Sequence, residues 1–208
     1  MVYSDVMPIK DYVSFVVTVA LFLALPGPGN LAILAAYRVG GVRAAMVSTL
    51  GIAFGDQVLI VLALSGLATI VQEMPVLFQW IEYLGAAYLM YIGLGLLRDR
   101  QRIDKEAEFK MKRIFRQSVA VTLLNPKAII FYMAFFPLFL ERGQVIDLHI
   151  WFVLAGTIAI MTLLYGVVLL VSIKMLSKTM GETGVFSNYL AKILGVMFIG
   201  LGIRLAFS

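Results

Sequence analysis

Pro26-Gly27-Pro28-Gly29-Asn30 interrupts an uncharged apolar run that extends from Tyr12 to Tyr37. A run of that length exceeds the about 20 residues that a helix needs to cross a bilayer. Prolines and glycines in the middle of the run should break such a helix. Lipid cannot satisfy the backbone amides that a break leaves unpaired, so the break is expected to face protein or a water-filled cavity. Discontinuous spans of this kind are where secondary transporters bind their substrates.

The composition indicates a polytopic membrane protein. The 208 residues are 62% hydrophobic and 14% charged, and their mean hydropathy is +0.96. A soluble domain of this size does not carry so much apolar sequence. Apolar runs use nearly the whole length, so we predict a single transmembrane domain over 1–208 without a separate soluble catalytic unit.

Residue usage excludes or disfavours several classes of function. The chain has no cysteine, which excludes disulfides, thiolate metal sites and thiol nucleophiles. A single histidine, His149, makes a multi-histidine metal site unfavourable. The net charge of +5 is carried between apolar runs, where a membrane surface explains it better than nucleic acid. We therefore expect no enzymatic activity, no cofactor, no metal site and no nucleic-acid partner.

Six apolar runs predict an all-α integral membrane protein with six spans. They are Tyr12–Tyr37, Ala44–Val71, Val76–Leu97, Gln117–Leu140, Leu148–Ile173 and Tyr189–Phe207. The first run can also be interpreted as two short helices. A signal peptide there is disfavoured because no small-x-small cleavage site follows. Most connections are short, and the longest, 98–116, is polar and rich in charge.

Lysine and arginine are distributed unequally over the connections. The first, third and fifth connections hold twelve of them, namely Arg38, Arg43, Arg98, Arg100, Arg102, Lys105, Lys110, Lys112, Arg113, Arg116, Lys174 and Lys178. The opposite side holds three, namely Lys10, Arg142 and Arg204. Because basic loops stay in the cytoplasm, we predict that loop 98–116 is cytoplasmic and that both termini are periplasmic.

The two halves of the chain resemble each other. Ile92-Gly93-Leu94-Gly95 matches Ile199-Gly200-Leu201-Gly202, Pro26 matches Pro126, and Gly55-Asp56 matches Gly156-Thr157. An odd number of spans in each half would make the halves face opposite ways, as in many secondary transporters. We therefore predict two inverted three-helix repeats, about 12–97 and 117–207, with helices 1 and 4 interrupted.

Two charged residues lie deep within predicted spans. Asp56 follows Arg43 by 13 residues, which is about 20 Å of helix. A carboxylate at that depth costs several kcal/mol unless it is paired, protonated or hydrated. Asp56 could bind a substrate ammonium, carry a coupling proton or form a structural ion pair. Lys127 could neutralise Asp56, attract a carboxylate or extend its stem towards the interface.

The interruption itself suggests a binding site. We expect a second half-helix to begin near Asn30, because asparagine favours the N-cap position. Helix N-termini carry free amides and partial positive charge, which suit a carboxylate. Gly51-x-x-x-Gly55 predicts close contact between helices. Several tyrosines could line a path or belong to the membrane's aromatic belts: Tyr83, Tyr88, Tyr91, Tyr132 and Tyr165.

These motifs together resemble the LysE/RhtB family of bacterial amino-acid exporters over essentially the full length. The resemblance rests on Pro26-Gly27-Pro28-Gly29-Asn30, on Gly51 with Gly55-Asp56, on Tyr88-Leu89 before Gly93, and on Leu124-Asn125-Pro126-Lys127-Ala128. It implies efflux of amino acids or close derivatives from the cytoplasm across the bacterial inner membrane, driven by the proton gradient. The cargo is not fixed by these motifs.

The sequence thus predicts a carrier whose partners are an amino-acid substrate, a coupling proton and the lipid bilayer, and it leaves a homo-oligomer open. The predicted substrate-binding residues are Pro26, Gly27, Pro28, Gly29, Asn30, Asp56, Asn125, Pro126 and Lys127. Amides after Gly29 would hold the carboxylate, Asp56 would face the ammonium or the proton, and Asn125 and Lys127 would form the opposite side. A carrier of metal ions or other small metabolites is the alternative, although Asp56 supplies few of the oxygen ligands that a cation needs.

Overall fold

Apolar runs become helices in a membrane because a helix satisfies the backbone amides within its own segment. The computed structural model describes residues 11–67, 75–98, 107–135, 139, 148–180 and 184–207. Over these residues the protein is all helical and contains no β-strand. Helix α1 is Tyr12–Ala24, and helix α2 is Pro28–Leu62, which a π-helical turn extends through Ala63–Leu67.

The rest of the chain also combines long helices with a short one. Helix α3 is Pro75–Arg98 and helix α4 is Ala107–Leu123. The short helix α5 is Pro126–Ile130, and a π-helical turn continues it through Phe131–Phe135. Helices α6 and α7 are Leu148–Met180 and Gly184–Ala206.

Two stretches of the described residues are long and apolar enough to cross a membrane by length and composition. They are Pro28–Ser65, with a mean hydropathy of 1.9, and His149–Met175, with a mean hydropathy of 2.4. Helix α1 is apolar but shorter, at 13 residues.

Helix α2 is a hairpin of two antiparallel arms, residues 28–39 and 42–62. Gly40 and Gly41 leave helical geometry between the arms, and Gly41 has φ 63° and ψ −152°. That region of backbone space is essentially confined to glycine. The arms lie side by side, since a Cβ on Gly29 would be 3.7 Å from Ile52 Cδ1. The predicted boundary between the first two spans is therefore a turn built by two glycines.

The second arm of α2 packs against α4 through its small residues. A Cβ on Gly51 would lie 2.7 Å from the Phe115 carbonyl oxygen, and one on Gly55 would lie 2.7 Å from Thr122 Cβ. Residue numbers rise together along the two helices, so they run parallel. This contact confirms the close approach predicted from Gly51-x-x-x-Gly55. On another side, the same arm runs antiparallel to α6.

Helices α3 and α7 also run antiparallel and touch through backbone. A Cβ on Gly93 would lie 2.7 Å from the Gly195 carbonyl oxygen, and one on Gly202 would lie 2.8 Å from the Ala86 carbonyl oxygen. By contrast, no described atom lies within 4 Å of a Cβ placed on Gly200. Gly93 and Gly202 thus occupy corresponding places in the contact. The sequence match, by contrast, aligns Gly93, which is buried, with Gly200, which is exposed.

Several helices extend beyond the predicted spans. Helix α4 begins at Ala107 rather than Gln117, and α6 continues past Ile173 to Met180. The added residues of α4 include Ala, Glu, Lys, Met and Arg, which are strong helix formers in water. Apolarity marks only the part of a helix that lipid surrounds, which explains the difference. The predicted span ends Val71 and Leu140 lie outside the described residues, as do Lys10 and Arg142.

Candidate functional site

The first interruption lies between α1 and α2. Helix α1 ends at Ala24, and Leu25 follows in an extended conformation with φ −65° and ψ 123°. Gly27 is the N-cap of α2, and Pro28 is its first residue. Proline suits this position because its missing N–H would have no helical acceptor there. The break is confirmed where it was predicted, but the second half-helix begins at Pro28 and Asn30 is not its cap.

Asn30 instead serves the carboxyl end of α1. Its side-chain nitrogen donates to the carbonyl oxygens of Leu23 and Leu25, both at 3.3 Å, and to the Tyr165 hydroxyl at 3.0 Å. The last carbonyls of a helix have no donor within the helix. Asn30, in the first turn of α2, supplies such a donor to the end of α1.

Lys127 reaches the same helix end from the other half of the protein. Its ammonium donates to the carbonyl oxygens of Phe22 at 3.0 Å and Leu25 at 2.7 Å. It also lies 4.6 Å from the centre of the Phe22 ring. A cation is favourable at a helix carboxyl end, where the partial charge is negative. The observed partners of Lys127 are therefore carbonyl oxygens rather than the Asp56 carboxylate or the interface.

The second interruption separates α4 from α5. The Asn125 side chain accepts from the Lys127 amide at 3.1 Å, which makes Asn125 the N-cap and Pro126 the first residue of α5. This geometry corresponds to Gly27 and Pro28 at the start of α2. Pro28 and Pro126 each begin a half-helix directly after its N-cap, whereas Pro26, which the sequence match pairs with Pro126, lies exposed before the cap.

The two interruptions lie against each other at Gly27. A Cβ on Gly27 would lie 3.5 Å from Lys127 Cδ and 3.6 Å from Lys127 Nζ. The ammonium therefore stands beside the amino end of α2 as well as the carboxyl end of α1. The amides of Gly29 and Asn30 are in the first turn of α2, where a helix offers them no acceptor.

Asp56 lies in the second arm of α2 and is only 2% exposed. Its carboxylate accepts from the Thr162 hydroxyl of α6 at 3.1 Å and is hydrogen-bonded to the Tyr132 hydroxyl. The Tyr132 ring packs edge-on against Phe22, with centroids 6.2 Å apart. The Lys127 ammonium lies over the same Phe22 ring. The rings of Tyr132 and Phe22 therefore connect Asp56 to the paired breaks.

The structure thus brings Gly27, Asn30 and Lys127 together and places Asp56 in a neighbouring polar cluster. Sequence reasoning did not identify the carbonyl oxygens of α1 as ligands, because every helix end has them. It also missed Thr162, although a hydroxyl in an apolar span is a recognised helix-contact signal. Of the tyrosines that could line a path, Tyr132 is hydrogen-bonded to Asp56 and Tyr165 is hydrogen-bonded to Asn30. Among the described residues, every buried side-chain nitrogen and oxygen has a hydrogen-bond partner.

Two broken helices whose freed ends are met by half-buried polar side chains are typical of integral membrane proteins of the transporter class. Comparison with known families agrees. The chain belongs to the LysE type translocator family, whose sequence model matches residues 20–208.

Its relatives cover almost the same length. The leucine efflux protein of Salmonella choleraesuis strain SC-B67 is 30% identical over 202 residues, which are 95% of each chain. The leucine efflux protein of Klebsiella pneumoniae is 30% identical over 204 residues, also 95% of each chain. An uncharacterised membrane protein of Pseudomonas aeruginosa is 31% identical over 206 residues, with the same coverage. No solved structure matches the chain significantly.

Proposed function

We propose that this protein is a secondary-active exporter of amino acids in the bacterial inner membrane and that it is driven by protons. Its membership of a translocator family and its similarity to leucine efflux proteins support this function. The observation that carries the proposal is the meeting of the two interrupted helices, where Lys127 binds the carbonyl oxygens of Phe22 and Leu25, which are 105 and 102 residues away.

The whole chain would act as one transmembrane domain of two inverted repeats, about 12–97 and 117–207. The parallel course of α2's second arm and α4, and the antiparallel course of α3 and α7, fit six alternating crossings. Equal places for Pro28 and Pro126, and for Gly93 and Gly202, support the repeat. Loop 98–116 would lie in the cytoplasm and the termini in the periplasm, because basic connections favour the cytoplasmic side.

A free amino acid offers the two charges that this site can receive. The carbonyl oxygens of Phe22 and Leu25 are acceptors for an ammonium, and the ammonium of Lys127 now occupies that place. A substrate ammonium would take over these carbonyls. Lys127 would then turn to the substrate carboxylate, together with the amides of Gly29 and Asn30 in the first turn of α2.

The remaining predicted site residues would hold this arrangement in place. Asn125 caps α5 and so fixes the turn from which Lys127 extends. Pro28 and Pro126 start the half-helices, while Pro26 keeps the intervening chain extended. The surroundings are apolar: the rings of Phe22 and Phe131 stack at 3.8 Å, and Ile52 faces Gly29. Such walls suit an aliphatic side chain such as that of leucine.

Asp56 would carry the coupling proton. It sits between the second arm of α2 and α6, with Tyr132 from the π-helical turn after α5 completing its contacts. Gain or loss of a proton there changes the charge at a buried contact between the two halves. Such a change would shift the balance between inward-facing and outward-facing arrangements.

Transport by purified protein in proteoliposomes tests this function. Vesicles loaded with a panel of labelled amino acids, including leucine, should release at least one of them when a proton gradient is imposed. Asp56→Asn should abolish the proton-driven flux but retain exchange of labelled for unlabelled substrate. The control is Glu82→Gln, which also replaces a carboxylate by its amide, at a half-buried residue of α3. This variant should behave as wild type. Absence of flux for every amino acid would refute the export function, and proton-driven flux by Asp56→Asn would refute the role of Asp56.

A further inference from the structure

A cavity of about 640 Å³ lies between α3 and α4, apart from the paired breaks. Its lining consists of Tyr88, Tyr91, Lys112, Arg113, Arg116, Gln117 and Ala120. We call these residues the basic groove. Three of them are cations, and among the lining residues that the structure describes there is no carboxylate.

Helical spacing places these side chains on facing sides of the two helices. Lys112, Arg116 and Ala120 follow one another at intervals of four on α4, which keeps them on one face. On α3, the rings of Tyr88 and Tyr91 stack with centroids 6.4 Å apart and an angle of 25° between their planes. The cations thus form one wall, and the tyrosine rings form the other.

The groove matches the chemistry of a phosphate group. Arginine guanidinium groups bind phosphate oxygens through paired hydrogen bonds, and lysine adds a point charge. Arg113 and Arg116 are exposed, so both can turn towards a ligand in the groove. The Tyr88 hydroxyl donates to the Gln117 carbonyl oxygen at 3.5 Å. The Tyr91 hydroxyl can donate to the phosphate oxygens, and both tyrosine rings offer an apolar surface beside them.

The position of the groove along the helices indicates where the phosphate comes from. After Arg116, helix α4 carries no further charge up to its end at Leu123. The basic residues therefore mark the point where α4 leaves the membrane surface and becomes apolar. On the facing helix, Tyr91 is 63% exposed and Leu94 is 43% exposed, and these suit contact with acyl chains.

We propose that the basic groove binds the phosphate of an anionic phospholipid headgroup at the membrane surface. The acyl chains lie along the exposed apolar side of α3, and Arg113, Arg116 and Lys112 hold the headgroup. This binding would anchor the α3–α4 side of the protein, and it does not depend on what the protein transports.

Native mass spectrometry of the detergent-purified full chain, titrated with phosphatidylglycerol or phosphatidylcholine, tests the proposal. Wild type should retain phosphatidylglycerol in preference to phosphatidylcholine. The double variant Arg113→Gln/Arg116→Gln should bind phosphatidylglycerol roughly 25-fold more weakly, since each basic residue near a membrane surface contributes about fivefold. The matched control is Arg43→Gln, an exposed arginine outside the groove, and it should retain wild-type affinity. Circular dichroism checks that each variant is folded.

Competition with inorganic phosphate identifies the source of the anion. If millimolar phosphate displaces the lipid from wild type, headgroup phosphate is the bound group. A second result is that wild type binds phosphate but shows no preference for phosphatidylglycerol, and that the double variant loses phosphate binding. The groove would then bind a free anion, and the lipid proposal would be overturned. Equal phosphatidylglycerol affinity in the double variant and in Arg43→Gln would overturn the proposal.

Discussion

Lys127 is the residue that joins the two halves of the candidate site. Its backbone amide belongs to the cap of α5, while its ammonium binds carbonyl oxygens at the end of α1. Charged hydrogen bonds contribute about 1.5–3 kcal/mol each, so this contact is strong enough to hold one conformation and weak enough for a substrate to replace.

Removal of the Lys127 ammonium is expected to lower both the transport rate and the stability of the protein. Lys127→Met keeps most of the stem but leaves the carbonyls of Phe22 and Leu25 without this donor. We expect at least a tenfold lower transport rate and a lower melting temperature in detergent. Lys192→Met, at an exposed site on α7, should change neither quantity. Normal transport by folded Lys127→Met would contradict the role given to the ammonium.

At the scale of single residues, sequence reasoning located the site better than it assigned the contacts. The breaks at Pro26–Asn30 and at Asn125–Pro126 were predictable because few residues end a helix inside an apolar run. The roles of Asn30 and Lys127 were not, because an amide or an ammonium serves whichever acceptor the fold brings near. Partners more than a hundred residues away, such as Phe22 for Lys127, leave no mark in local sequence.

Among the elements, the α2 hairpin depends on the backbone of one residue. Gly41 adopts φ 63° and ψ −152°, and no described atom lies within 4 Å of a Cβ placed on it. Any loss of stability in Gly41→Ala would therefore come from backbone strain, which costs about 1–3 kcal/mol in this region.

Comparison with a helical glycine isolates that effect. Gly95→Ala adds the same methyl group in open space within α3, where alanine is the better helix former by about 1 kcal/mol. We expect thermal unfolding in detergent to show a lower melting temperature for Gly41→Ala and an equal or higher one for Gly95→Ala. The turn is mis-assigned if the two variants unfold at the same temperature.

For the molecule as a whole, the contact of α3 with α7 bears on the proposed repeat of the two halves. Pairing Gly93 with Gly202 places two tight backbone contacts at corresponding positions, whereas the sequence match pairs Gly93 with exposed Gly200. Glycine and leucine are so common in membrane helices that a short motif can align two residues out of register. For the proposed repeat, burial in the packed helices favours pairing Gly93 with Gly202.

The pairing of Gly93 with Gly202 can be tested by substituting two glycines of α7, Gly202 and Gly200. Gly202→Val would push against the Ala86 carbonyl oxygen and Met90 Cγ, and overpacking of this kind costs about 1–3 kcal/mol. Gly200→Val points into open space and should cost much less. Melting temperatures of the purified variants decide between the registers, and a larger loss in Gly200→Val would reverse the assignment.

The central claim is that the paired breaks enclose a water-accessible substrate site at membrane depth. Because the chain has no cysteine, Gly29→Cys introduces a unique thiol there, and its Cβ would meet only ordinary contact with Ile52 at 3.7 Å. The direct measurement is the rate at which a charged, water-soluble thiol reagent labels this variant in native membranes, with and without leucine. Our account predicts rapid labelling that leucine slows, and little labelling of Gly200→Cys on the exposed face of α7. Labelling of Gly29→Cys as slow as that of Gly200→Cys would contradict it.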